Sequence, residues 1–584
     1  MTALSTKLIN APEDFVDEVI DGILGAHGDG LRAASGDARA IVRTALPAGT
    51  VGIVTGGGSG HLPLFLGYVG TGLCSGVAVG NVFSSPSPEQ IHAATVASDT
   101  GAGVLYLYGN YGGDVFNFDL AADLAALDGI RTATVLGADD VASAPREKAR
   151  SRRGVAGIFF AYKIAGASAA RGDDLDTVAS LAQRAADRTG TMGVGLAPTV
   201  LPTTGKPSFD LAEGQMEIGV GIHGEPGRRT GPIAPADAVA DELVQTIVAD
   251  LGIERGARVA VLVNGLGATP LEELYLLSRR TRQLLDEREV RIHRAYVGEF
   301  ATSLEMAGAS ISILALDDEL AALLDAPADS PFFAQGGVAP EAVTAAAPVH
   351  ETGDPQTTPS ADSAADSGTA VATAEATAAG AALAAAITAV APRWAAHADE
   401  LRDLDAALGD GDLGITVSSG VAAILVALDG VTATDIADPV LRAGRAFATA
   451  NPSTFAALVG GGLLAAGGSL QGHGPLDRAA LVAAMRALAA RIAERGKAQA
   501  GDKTVLDALL PSIDALAAAD ADPRAAVAAM RAAAWAGVRG TTELVSQRGR
   551  AAWVGERSAG RPDPGATAYA RLLDEVAAWL DETA

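Results

Sequence analysis

Cysteine, positive charge and long apolar runs are all scarce in this chain of 584 residues. Cys74 is the single cysteine, which excludes an intramolecular disulfide and a zinc site built on cysteine ligands. The chain has 43 lysine and arginine residues against 70 aspartate and glutamate residues, and its net charge of −27 argues against binding to nucleic acid. Glycine or charge breaks the apolar runs before they reach the roughly 18 residues of a membrane-spanning helix.

The first twenty residues carry acidic side chains early and lack the apolar core of a signal peptide. We therefore expect a soluble, cytoplasmic protein that binds neither nucleic acid nor a membrane. The excess of acid has two open explanations. It solubilises an alanine-rich surface, or part of it recruits divalent cations.

The chain is too long for a single hydrophobic core, so two or three domains are expected. In residues 1–326, short apolar runs end in glycine-rich turns, which predicts an α/β domain with open parallel sheets that bind ligands at the carboxyl ends of their strands. The predicted strands lie in "TVGIVTGGG" (50–58), "GAGVLYLYGNYGGD" (101–114), "ARVAVLVNGLG" (257–267) and "ISILAL" (311–316).

The composition changes at about residue 327. The stretch "APVHETGDPQTTPSADSAADSGTAVATAEATAAG" is rich in small and polar residues and has no aromatic side chain. Such a segment buries too little apolar surface to fold alone, so residues 327–376 are predicted to be a flexible linker. Apolar residues at helical spacing, as in 477–496, then predict an all-α domain over residues 377–584.

Three carboxylates are crowded into the segment "DAALGDGDLG", which is predicted to be a loop between two helices: Asp405, Asp410 and Asp412. Crowded carboxylates repel one another unless a cation lies among them, and oxygen ligands of this kind suit Mg²⁺ or Ca²⁺. The segment does not match an EF-hand loop. The alternative is an aspartate cap on a helix N-terminus, which accounts for one of the three side chains but not for all of them.

Other segments of the C-terminal half favour a phosphate ligand. In "NPSTFAALVGGGLLAAGG" (451–468), backbone N–H groups and the hydroxyls of Ser453 and Thr454 are suited to cradle phosphate oxygens, although close packing of helices through the glycines is an equal alternative. "GKAQAGDKT" (496–504) is not a P-loop, because Asp502 interrupts the pattern and no strand precedes it. "GRPDPGA" (560–566) is a turn that places Asp563.

Two histidines of the N-terminal half lie among glycines that let a ligand approach the backbone. His61 follows the predicted strand at 50–58, and Asp114 follows the next one. His223, in "GIHGEPG", has Glu225 as its one acidic neighbour in the sequence, and a neutral imidazole there would be a nucleophile. A structural role is the competing interpretation for each histidine.

Taken together, these motifs resemble the ATP-dependent dihydroxyacetone kinases. The stretches that carry the resemblance cover nearly the whole chain apart from the linker: "GGGSGH", "GNYGGD", "RRGVAG", "KIAGASAARG", "MEIGVGIHGEPG", "VNGLGATP", "TSLEMAGASISIL", "LDAALGDGDLG", "GDKTVLDAL" and "GRAAWVGERSAGRPDPGA". The resemblance implies a ketose-binding α/β domain of two subdomains and a C-terminal helical barrel that binds ATP. It also implies homodimers in which the helical domain of one chain reaches the substrate domain of the other.

The resemblance assigns a role to each candidate residue. His223 would form a covalent hemiaminal with the ketone carbon, while His61 and Asp114 would orient and deprotonate the attacking hydroxyl. Asp405, Asp410 and Asp412 would hold two Mg²⁺ ions against the phosphates of ATP. Substrate contacts would come from Gly58, Ser59, Gly109 and Asn110, and nucleotide contacts from Ser453, Thr454, Gly461, Gly501, Thr504, Arg550, Asp563 and Gly565.

The chain departs from the common form of the family in ways that bear on the substrate. Leu62 stands where an acid is usual, Gly109 where a lysine is usual and Leu413 where a histidine is usual. The first two changes remove polar groups beside the ketose, so either dihydroxyacetone or a four-carbon ketose, D- or L-erythrulose, is the expected substrate. The alternatives from other classes are an FAD-cyclising lyase, a non-catalytic ketose sensor and a dinucleotide oxidoreductase. The last is disfavoured because "GGGSGH" lacks the third glycine of the Rossmann fingerprint.

Overall fold

The computed structural model describes residues 7–336, 374–406, 411–450, 453–519, 522–548 and 558–583. The chain divides into two compact units, Met1–Gly337 and Val338–Ala584, and each is described here by itself. The first unit is α/β and the second is helical, which confirms the predicted fold class.

The first unit contains a six-stranded sheet in the order β1-β2-β4-β3-β5-β6. The four strands β3 to β6 pair in parallel, and the short strands β1 and β2 extend one edge in antiparallel fashion. The bounds are β1 Leu31–Ala34, β2 Asp37–Arg43, β3 Gly52–Ser59, β4 Gly76–Val82, β5 Val104–Gly109 and β6 Thr132–Gly137. Because β3 and β5 are parallel neighbours, the segments that follow them emerge at the same edge of the sheet, as the sequence predicts.

A second six-stranded sheet has the order β11-β10-β12-β7-β8-β9. Its strands are β7 Thr189–Ala197, β8 Gln215–Ile218, β9 Arg229–Pro232, β10 Arg258–Gly265, β11 Arg291–Gly298 and β12 Ala307–Leu316. The predicted strands at 257–267 and 311–316 are present as β10 and β12, but β12 runs antiparallel to β10, with Val261 opposite Ile313. The expectation of parallel sheets is therefore wrong here, because the short connection from β11 to β12 contains no crossover helix.

Eight helices among the described residues of the first unit cover the two sheets: α1 Phe15–His27, α2 Pro88–Ser98, α3 Gly112–Leu127, α4 Ile158–Arg171, α5 Leu175–Asp187, α6 Ala236–Leu251, α7 Leu271–Glu287 and α8 Asp318–Asp325. Helices α2 and α3 pack on one face of the first sheet, and α6 and α7 pack on one face of the second. Helix α4 is buried along nearly its whole length and joins a core to which both sheets contribute. Burial on both faces is why strands β3 and β5 are almost uniformly apolar or glycine.

The first unit ends in a small hairpin, β13 (Ala328–Ser330) paired with β14 (Phe333–Gln335). Asp329 exchanges backbone hydrogen bonds with Thr71, so the hairpin belongs to this unit. The hairpin lies within the segment 327–376 that the sequence predicts as a linker, so the first unit is folded at least as far as Gln335. Residues 337–373 of that segment lie outside the described part of the chain.

The second unit is built of helices, with no strand among its described residues. The helices are α9 Ala374–Ala395, α10 Ala398–Ala406, α11 Leu413–Leu428, α12 Ala437–Thr449, α13 Thr454–Leu470, α14 Arg478–Gly496, α15 Leu506–Ala518, α16 Pro523–Thr541 and α17 Pro564–Glu582. By length and composition alone, the part of α9 from Ala376 to Ala395 would suffice to cross a membrane. Its side chains Leu383, Ile387 and Trp394 instead pack into the apolar clusters of this unit.

From Thr454 the glycine-rich run is helical, as α13, and Gly460 and Gly467 serve close packing. A Cβ on Gly460 would lie 2.4 Å from the Cβ of Ala448 on α12, and one on Gly467 would lie 2.7 Å from the Leu441 side chain. Helix packing through glycines, one of the two alternatives left open by the sequence, therefore accounts for these positions. The phosphate alternative is confined to the start of the helix.

Candidate functional site

His61 lies in the loop that follows β3, at the carboxyl edge of the first sheet. It is 2% exposed, and its ring stacks on that of Phe83 with 4.8 Å between centroids. Gly58 makes this stacking possible, because a Cβ there would lie 2.6 Å from the backbone nitrogen of Ser84. Gly58 and Ser59, both expected to contact substrate, thus lie beside the histidine at the end of β3.

The two ring nitrogens of His61 differ. Nδ1 lies 2.8 Å from the backbone carbonyl oxygen of Thr302, which can only accept, so Nδ1 carries the proton. Nε2 is buried and has no hydrogen-bond partner among the described residues. Burial, reinforced by repulsion from His223, lowers the pKa of His61 to about 3. The ring is therefore neutral near pH 7 and presents an unshared lone pair at Nε2.

The Thr302 carbonyl that fixes this tautomer is held by the second sheet. Asn264, at the end of β10, accepts from the N–H of Ala301 at 2.9 Å and donates from Nδ2 to the carbonyl of the same residue at 2.9 Å. Thr302 also donates from its backbone nitrogen to the His61 carbonyl at 3.2 Å and from its hydroxyl to the Leu62 carbonyl at 2.8 Å. The orientation of His61 therefore depends on contacts between the two sheets.

His223 lies in a tight turn beyond β8, in which Gly224 donates to the Gly221 carbonyl at 3.0 Å. The Glu225 carboxylate binds it twice, through the His223 backbone N–H at 3.0 Å and through Nδ1 at 2.9 Å. Burial opposes ionisation of Glu225, but the contacts with His223 and with Arg153 outweigh it and lower the pKa of Glu225 to about 2. Because an ionised carboxylate only accepts, Nδ1 carries a proton, and in the neutral form of the ring the lone pair lies on Nε2.

The two imidazoles meet edge to face, with 4.9 Å between ring centroids and 76° between planes. Phe83 and Tyr111 complete an aromatic wall around His223, with centroids 5.3 and 4.7 Å from it. The His223 side chain remains 24% exposed, so a small molecule can reach it.

Asp114 lies in the first turn of α3 and is 5% exposed. Its Oδ1 is buried and has no partner in the part of the chain that the structure describes. Burial raises the pKa of Asp114 to about 6, although a hydrogen bond from Ser85 and the charge of His223 oppose the shift. A carboxylate in this state is ionised near pH 7 but remains basic enough to accept a proton. The tertiary structure thus brings together the three candidate catalytic residues: a nucleophilic nitrogen, a neutral acceptor and a carboxylate.

The other two residues expected to contact substrate are placed differently. Gly109 ends β5, and a Cβ there would lie 3.2 Å from the ring of Tyr111. Asn110 donates from Nδ2 to the Arg152 carbonyl at 2.7 Å, so this amide nitrogen anchors a neighbouring loop. Leu62, the residue that replaces the usual acid, packs partly against the main core of the first unit.

In the helical unit, three helices begin close together. The Thr416 hydroxyl, in the first turn of α11, donates at 3.0 Å to Ser453, the residue that caps α13. A Cβ on Gly565, at the start of α17, would lie 3.4 Å from the ring of Phe455 at the start of α13. Because helix N-termini present free N–H groups and positive dipole ends, this cluster is suited to bind an anion such as a phosphate.

Acidic side chains lie at the same place. Asp405 accepts from the backbone N–H of Leu413 at 3.2 Å. Burial and the neighbouring Asp405 raise the pKa of Asp412. Asp563 caps α17 by accepting from the Ala566 N–H at 2.7 Å, and its pKa is raised to about 7, mainly by burial and partly by other acids that include Asp405. Mutual repulsion of this kind is relieved by a bound cation, so the donor set fits Mg²⁺.

Part of this predicted site lies outside the described residues, namely Asp410 and Arg550. Within the described part of the chain, no group of three or more acidic, histidine or cysteine side chains forms a metal cluster. Leu413 occupies the usual histidine position and is 4% exposed in the core of the helical unit.

The remaining nucleotide candidates are distributed along the same unit. Thr454 is the first residue of α13, whereas Gly461 lies two turns inside that helix. Gly501 and Thr504 form a turn whose backbone N–H groups both donate to the carboxylate of Asp507, at 2.5 and 2.8 Å.

Lys503 lies in the same turn and is buried. Its ammonium group donates to the carbonyls of Leu544, Ser558 and Arg561 at 3.1, 2.6 and 2.7 Å. The ammonium group of Lys503 therefore cross-links three backbone segments, a structural role that differs from the phosphate binding of a P-loop lysine.

Sequence reasoning gave no role to Asn264, Thr302, Tyr111 or Arg153, which orient or surround the two histidines. Asn264 and Arg153 do fall in "VNGLGATP" and "RRGVAG", two stretches that carry the resemblance. Their motifs were therefore visible in the sequence, but their contacts with distant segments were not: Asn264 bonds Ala301 from another segment, and Arg153 lies beside Glu225 in the His223 turn.

Comparisons with known proteins match both units. Residues 21–332 match the model of the Dak1 domain and residues 407–578 that of the DAK2 domain. The chain is 38% identical to L-erythrulose 1-kinase of Mycolicibacterium smegmatis, over 97% of this chain and 98% of that protein. It is also 38% identical to D-erythrulose kinase of the same organism, over 98% of each protein.

A solved structure is similar over the whole length. The dihydroxyacetone kinase from C. freundii in complex with AMP-PNP and Mg²⁺ is 28% identical, with a TM-score of 0.52 over 99% of this chain and 100% of that one.

Proposed function

Because this chain belongs to the ATP-dependent dihydroxyacetone kinase family, we propose that it transfers the γ-phosphoryl group of ATP to a terminal hydroxyl of a short-chain ketose captured by His223. The chain is a phosphotransferase that acts on an alcohol group. The observation that carries the proposal is the proximity of His223, His61 and Asp114. The two ring centroids lie 4.9 Å apart, and Asp114 is close enough for the charge of His223 to lower its pKa.

Capture of the ketose follows from the tautomer of His223. Nε2 donates its lone pair to the ketone carbon, the carbonyl π electrons move to the oxygen, and that oxygen takes a proton from solvent. The ring then carries a positive charge with its proton still on Nδ1, opposite the Glu225 carboxylate at 2.9 Å. A three-carbon or four-carbon ketose offers little surface for binding, so a covalent bond supplies affinity and fixes its orientation.

Deprotonation of the attacking hydroxyl falls to Asp114 and His61. Asp114 Oδ1 has no partner in the described residues and accepts the proton as the hydroxyl attacks phosphorus. His61 Nε2 accepts a hydrogen bond from the same hydroxyl or its neighbour, and its neutral ring adds no competing charge. The roles differ because the burial of each group moves its pKa downward for the histidine and upward for the carboxylate.

The phosphates of ATP would lie at the clustered N-termini of α11, α13 and α17. Asp405 and Asp412, together with Asp410, which lies outside the described residues, would hold Mg²⁺ there, and two ions are proposed. Bound Mg²⁺ would offset the negative charge of the phosphates, which is the main requirement of phosphoryl transfer. Ser453, which caps α13, and Thr454, its first residue, would contact a phosphate oxygen.

We propose erythrulose, a four-carbon ketose, alongside dihydroxyacetone as the substrate. Relatives that match nearly the whole chain are kinases for L-erythrulose and for D-erythrulose. Leu62 and Gly109, in place of longer polar side chains, would also leave room for a ketose with one more carbon. The two enantiomers differ only at the C3 hydroxyl, so one protein is expected to prefer one of them.

A coupled assay of ADP release tests the proposal directly. Dihydroxyacetone, D-erythrulose, L-erythrulose and glyceraldehyde are each supplied with ATP, with and without Mg²⁺. At least one ketose is expected to raise the rate of ADP release at least tenfold over the rate without ketose, and the increase is expected to require Mg²⁺. If none of the ketoses raises ADP release, the kinase assignment fails.

The pH dependence of kcat/KM is expected to report Asp114. Because its pKa is raised to about 6 and the base must be ionised, kcat/KM should be constant above that pH and should fall about tenfold per unit below it. His61 stays neutral through this range and adds no second step. Samples held at pH 5 and assayed at pH 7.5 control for unfolding. An acid limb that survives in Asp114→Asn would show that another group is the base.

We further propose that the protein acts in the cytoplasm as a homodimer in which the helical unit of each chain serves the ketose site of the other. The resemblance to the family supports this arrangement. Light scattering of the full chain measures the mass of the particle and tests the dimer.

A further inference from the structure

Arg153 lies in the stretch "RRGVAG", which carries the family resemblance but has no role in the mechanism above. Its side chain is 16% exposed. Nε and Nη2 both reach Oδ2 of Asp140, at 2.9 and 2.7 Å, and Nη2 also donates to the Gly219 carbonyl at 3.3 Å. Nη1 lies 3.9 Å from Oε2 of Glu225. The cation is therefore tied closely to one carboxylate and loosely to the one that binds His223.

The backbone is built to admit this arrangement. A Cβ on Gly221 would lie 2.1 Å from Oε2 of Glu225 and 2.6 Å from Nη1 of Arg153. Any other residue at position 221 would push the carboxylate or the guanidinium out of place. The backbone at Gly221 therefore allows Arg153 and Glu225 to lie side by side next to the turn that carries His223.

We propose that Arg153, held by Asp140, is a positioning residue for the nucleophile: it offsets part of the charge of Glu225, so that His223 keeps an unprotonated Nε2 while its Nδ1–H remains bonded to Glu225. The inference rests on the proposed capture of a ketose by His223. Without the guanidinium, the full charge of Glu225 would favour the imidazolium form of His223, which has no lone pair to donate. If the guanidinium group instead bound Glu225 tightly, the carboxylate would no longer accept the hydrogen bond from Nδ1 of His223.

Asp140 determines how closely the guanidinium group of Arg153 approaches Glu225. It is 3% exposed at its side chain, and its other oxygen accepts from the Ala142 N–H at 3.0 Å, so its position is fixed. Burial raises the pKa of Asp140 to about 6, while the charge of Arg153 opposes that rise. Asp140 competes with Glu225 for the guanidinium group, which explains why Arg153 lies 2.7 Å from one carboxylate and 3.9 Å from the other.

The charged and titratable groups around His223 come from several elements. They are Glu225 on its own turn, His61 after β3, Tyr111 and Asp114 at the start of α3, Asp139 and Asp140 after β6, and Arg153. Arg153 is the sole cation among these groups. The protonation of His223 is therefore expected to respond to its removal more than to that of any other single residue in the set apart from Glu225.

The test combines Arg153→Met, Arg153→Lys and Asp140→Asn in the full chain. In the wild type, Asp114 sets the acid limb of kcat/KM with the preferred ketose. In Arg153→Met, protonation of His223 is expected to set it instead and to move it to higher pH by about one unit, with little change at pH 9. Arg153→Lys, which keeps the charge, should restore most of the wild-type profile. Asp140→Asn, which releases the guanidinium toward Glu225, should leave the limb in place and lower the plateau several-fold.

A second measurement observes the ring itself. In protein labelled with ¹⁵N-histidine, the resonances of His223 are identified by their absence from His223→Ala. Their titration is expected to shift to higher pH in Arg153→Met and to lower pH in Asp140→Asn. Thermal unfolding of each variant identifies any that does not fold, in which case the other two variants decide the question.

The outcomes separate this inference from the proposed function. A wild-type protein without ketose-dependent ADP release would remove the proposed function. An active wild-type protein whose Arg153→Met variant loses kcat/KM by the same factor at every pH, or in which the ¹⁵N titration does not move, would overturn the role of Arg153 alone.

Discussion

Replacement of His223 by alanine is expected to lower kcat/KM for ketose phosphorylation about a thousandfold or more, while the binding of ATP is unchanged. The variant loses the Nε2 atom that bonds to the ketone carbon and leaves the Glu225 carboxylate without the imidazole N–H that it accepts. A thousandfold loss corresponds to about 4 kcal/mol of transition-state stabilisation. The loss is large because the captured ketose otherwise has few side chains to hold it.

Initial rates of ADP release over a range of ketose concentrations measure the effect. The adduct is followed separately with a ketose carrying ¹³C at its carbonyl carbon, which should give a protein-bound tetrahedral resonance with the wild type and none with the variant. His92→Ala is the matched control, since His92 also bonds a carboxylate, that of Asp128 at 2.6 Å, but lies on the outer helix α2. A His223→Ala variant that keeps more than a tenth of the wild-type kcat/KM would contradict covalent capture.

The wild type and His223→Ala also distinguish ketose kinase activity from the FAD-cyclising lyase activity that was considered as an alternative. A reaction that cleaves FAD at the nucleotide site has no use for the imidazole, so it would survive His223→Ala. Loss of ketose phosphorylation with survival of FAD cleavage would show that both activities exist and that only the first depends on this residue.

Substitution of Asp405 or Asp412 by asparagine is expected to lower kcat about a thousandfold and to raise the Mg²⁺ concentration needed for half-maximal rate at least tenfold. Each change removes a negative ligand from the proposed Mg²⁺ site, and a bound metal supplies several kcal/mol of stabilisation to a transferring phosphoryl group. The side chains are nearly isosteric, and an asparagine oxygen at position 405 still accepts from the Leu413 N–H. The local fold is therefore expected to persist.

Stability gives these variants a second, opposite readout. The neighbouring Asp405 helps to raise the pKa of Asp412, which shows that the two carboxylates destabilise each other when no cation is present. Thermal unfolding without nucleotide or Mg²⁺ should thus occur at an equal or higher temperature in the variants, even though activity is lost. Asp403→Asn, at an exposed position that pairs with Arg402, serves as the control for charge alone. Variants that lose stability and activity together, with no change in Mg²⁺ dependence, would point to a structural role.

The sequence indicated the candidate catalytic residues because their types and settings are local features. His61 and Asp114 follow predicted strands that end in glycine, and the structure confirms β3 and β5 at those places. Two parallel neighbours must deliver their loops to one edge, so the meeting of these residues could be predicted. The helix starts at Leu413 and Thr454 were similarly marked by the turn residues that precede them.

Other features were decided by contacts between distant segments. The antiparallel direction of β12, the use of the α13 glycines for helix packing and the commitment of Lys503 to three carbonyls all depend on what the chain meets in space. Residues 328–335 were assigned to a linker by composition, yet they form a hairpin because their backbone pairs with a loop near residue 71.

The sequence by itself determined which imidazole and carboxylate side chains lie in glycine-rich segments. It also determined that the N-terminal half is α/β and the C-terminal half is helical. The tertiary structure decided the state of those groups. In His61, Nδ1–H donates to the Thr302 carbonyl, from the connection between β11 and β12, which leaves the lone pair on Nε2. Glu225 accepts from Nδ1 of His223 in the same way. Protonation and tautomer depend on burial and on the nearest charges, and these are properties of neighbours in space and not of neighbours in the chain.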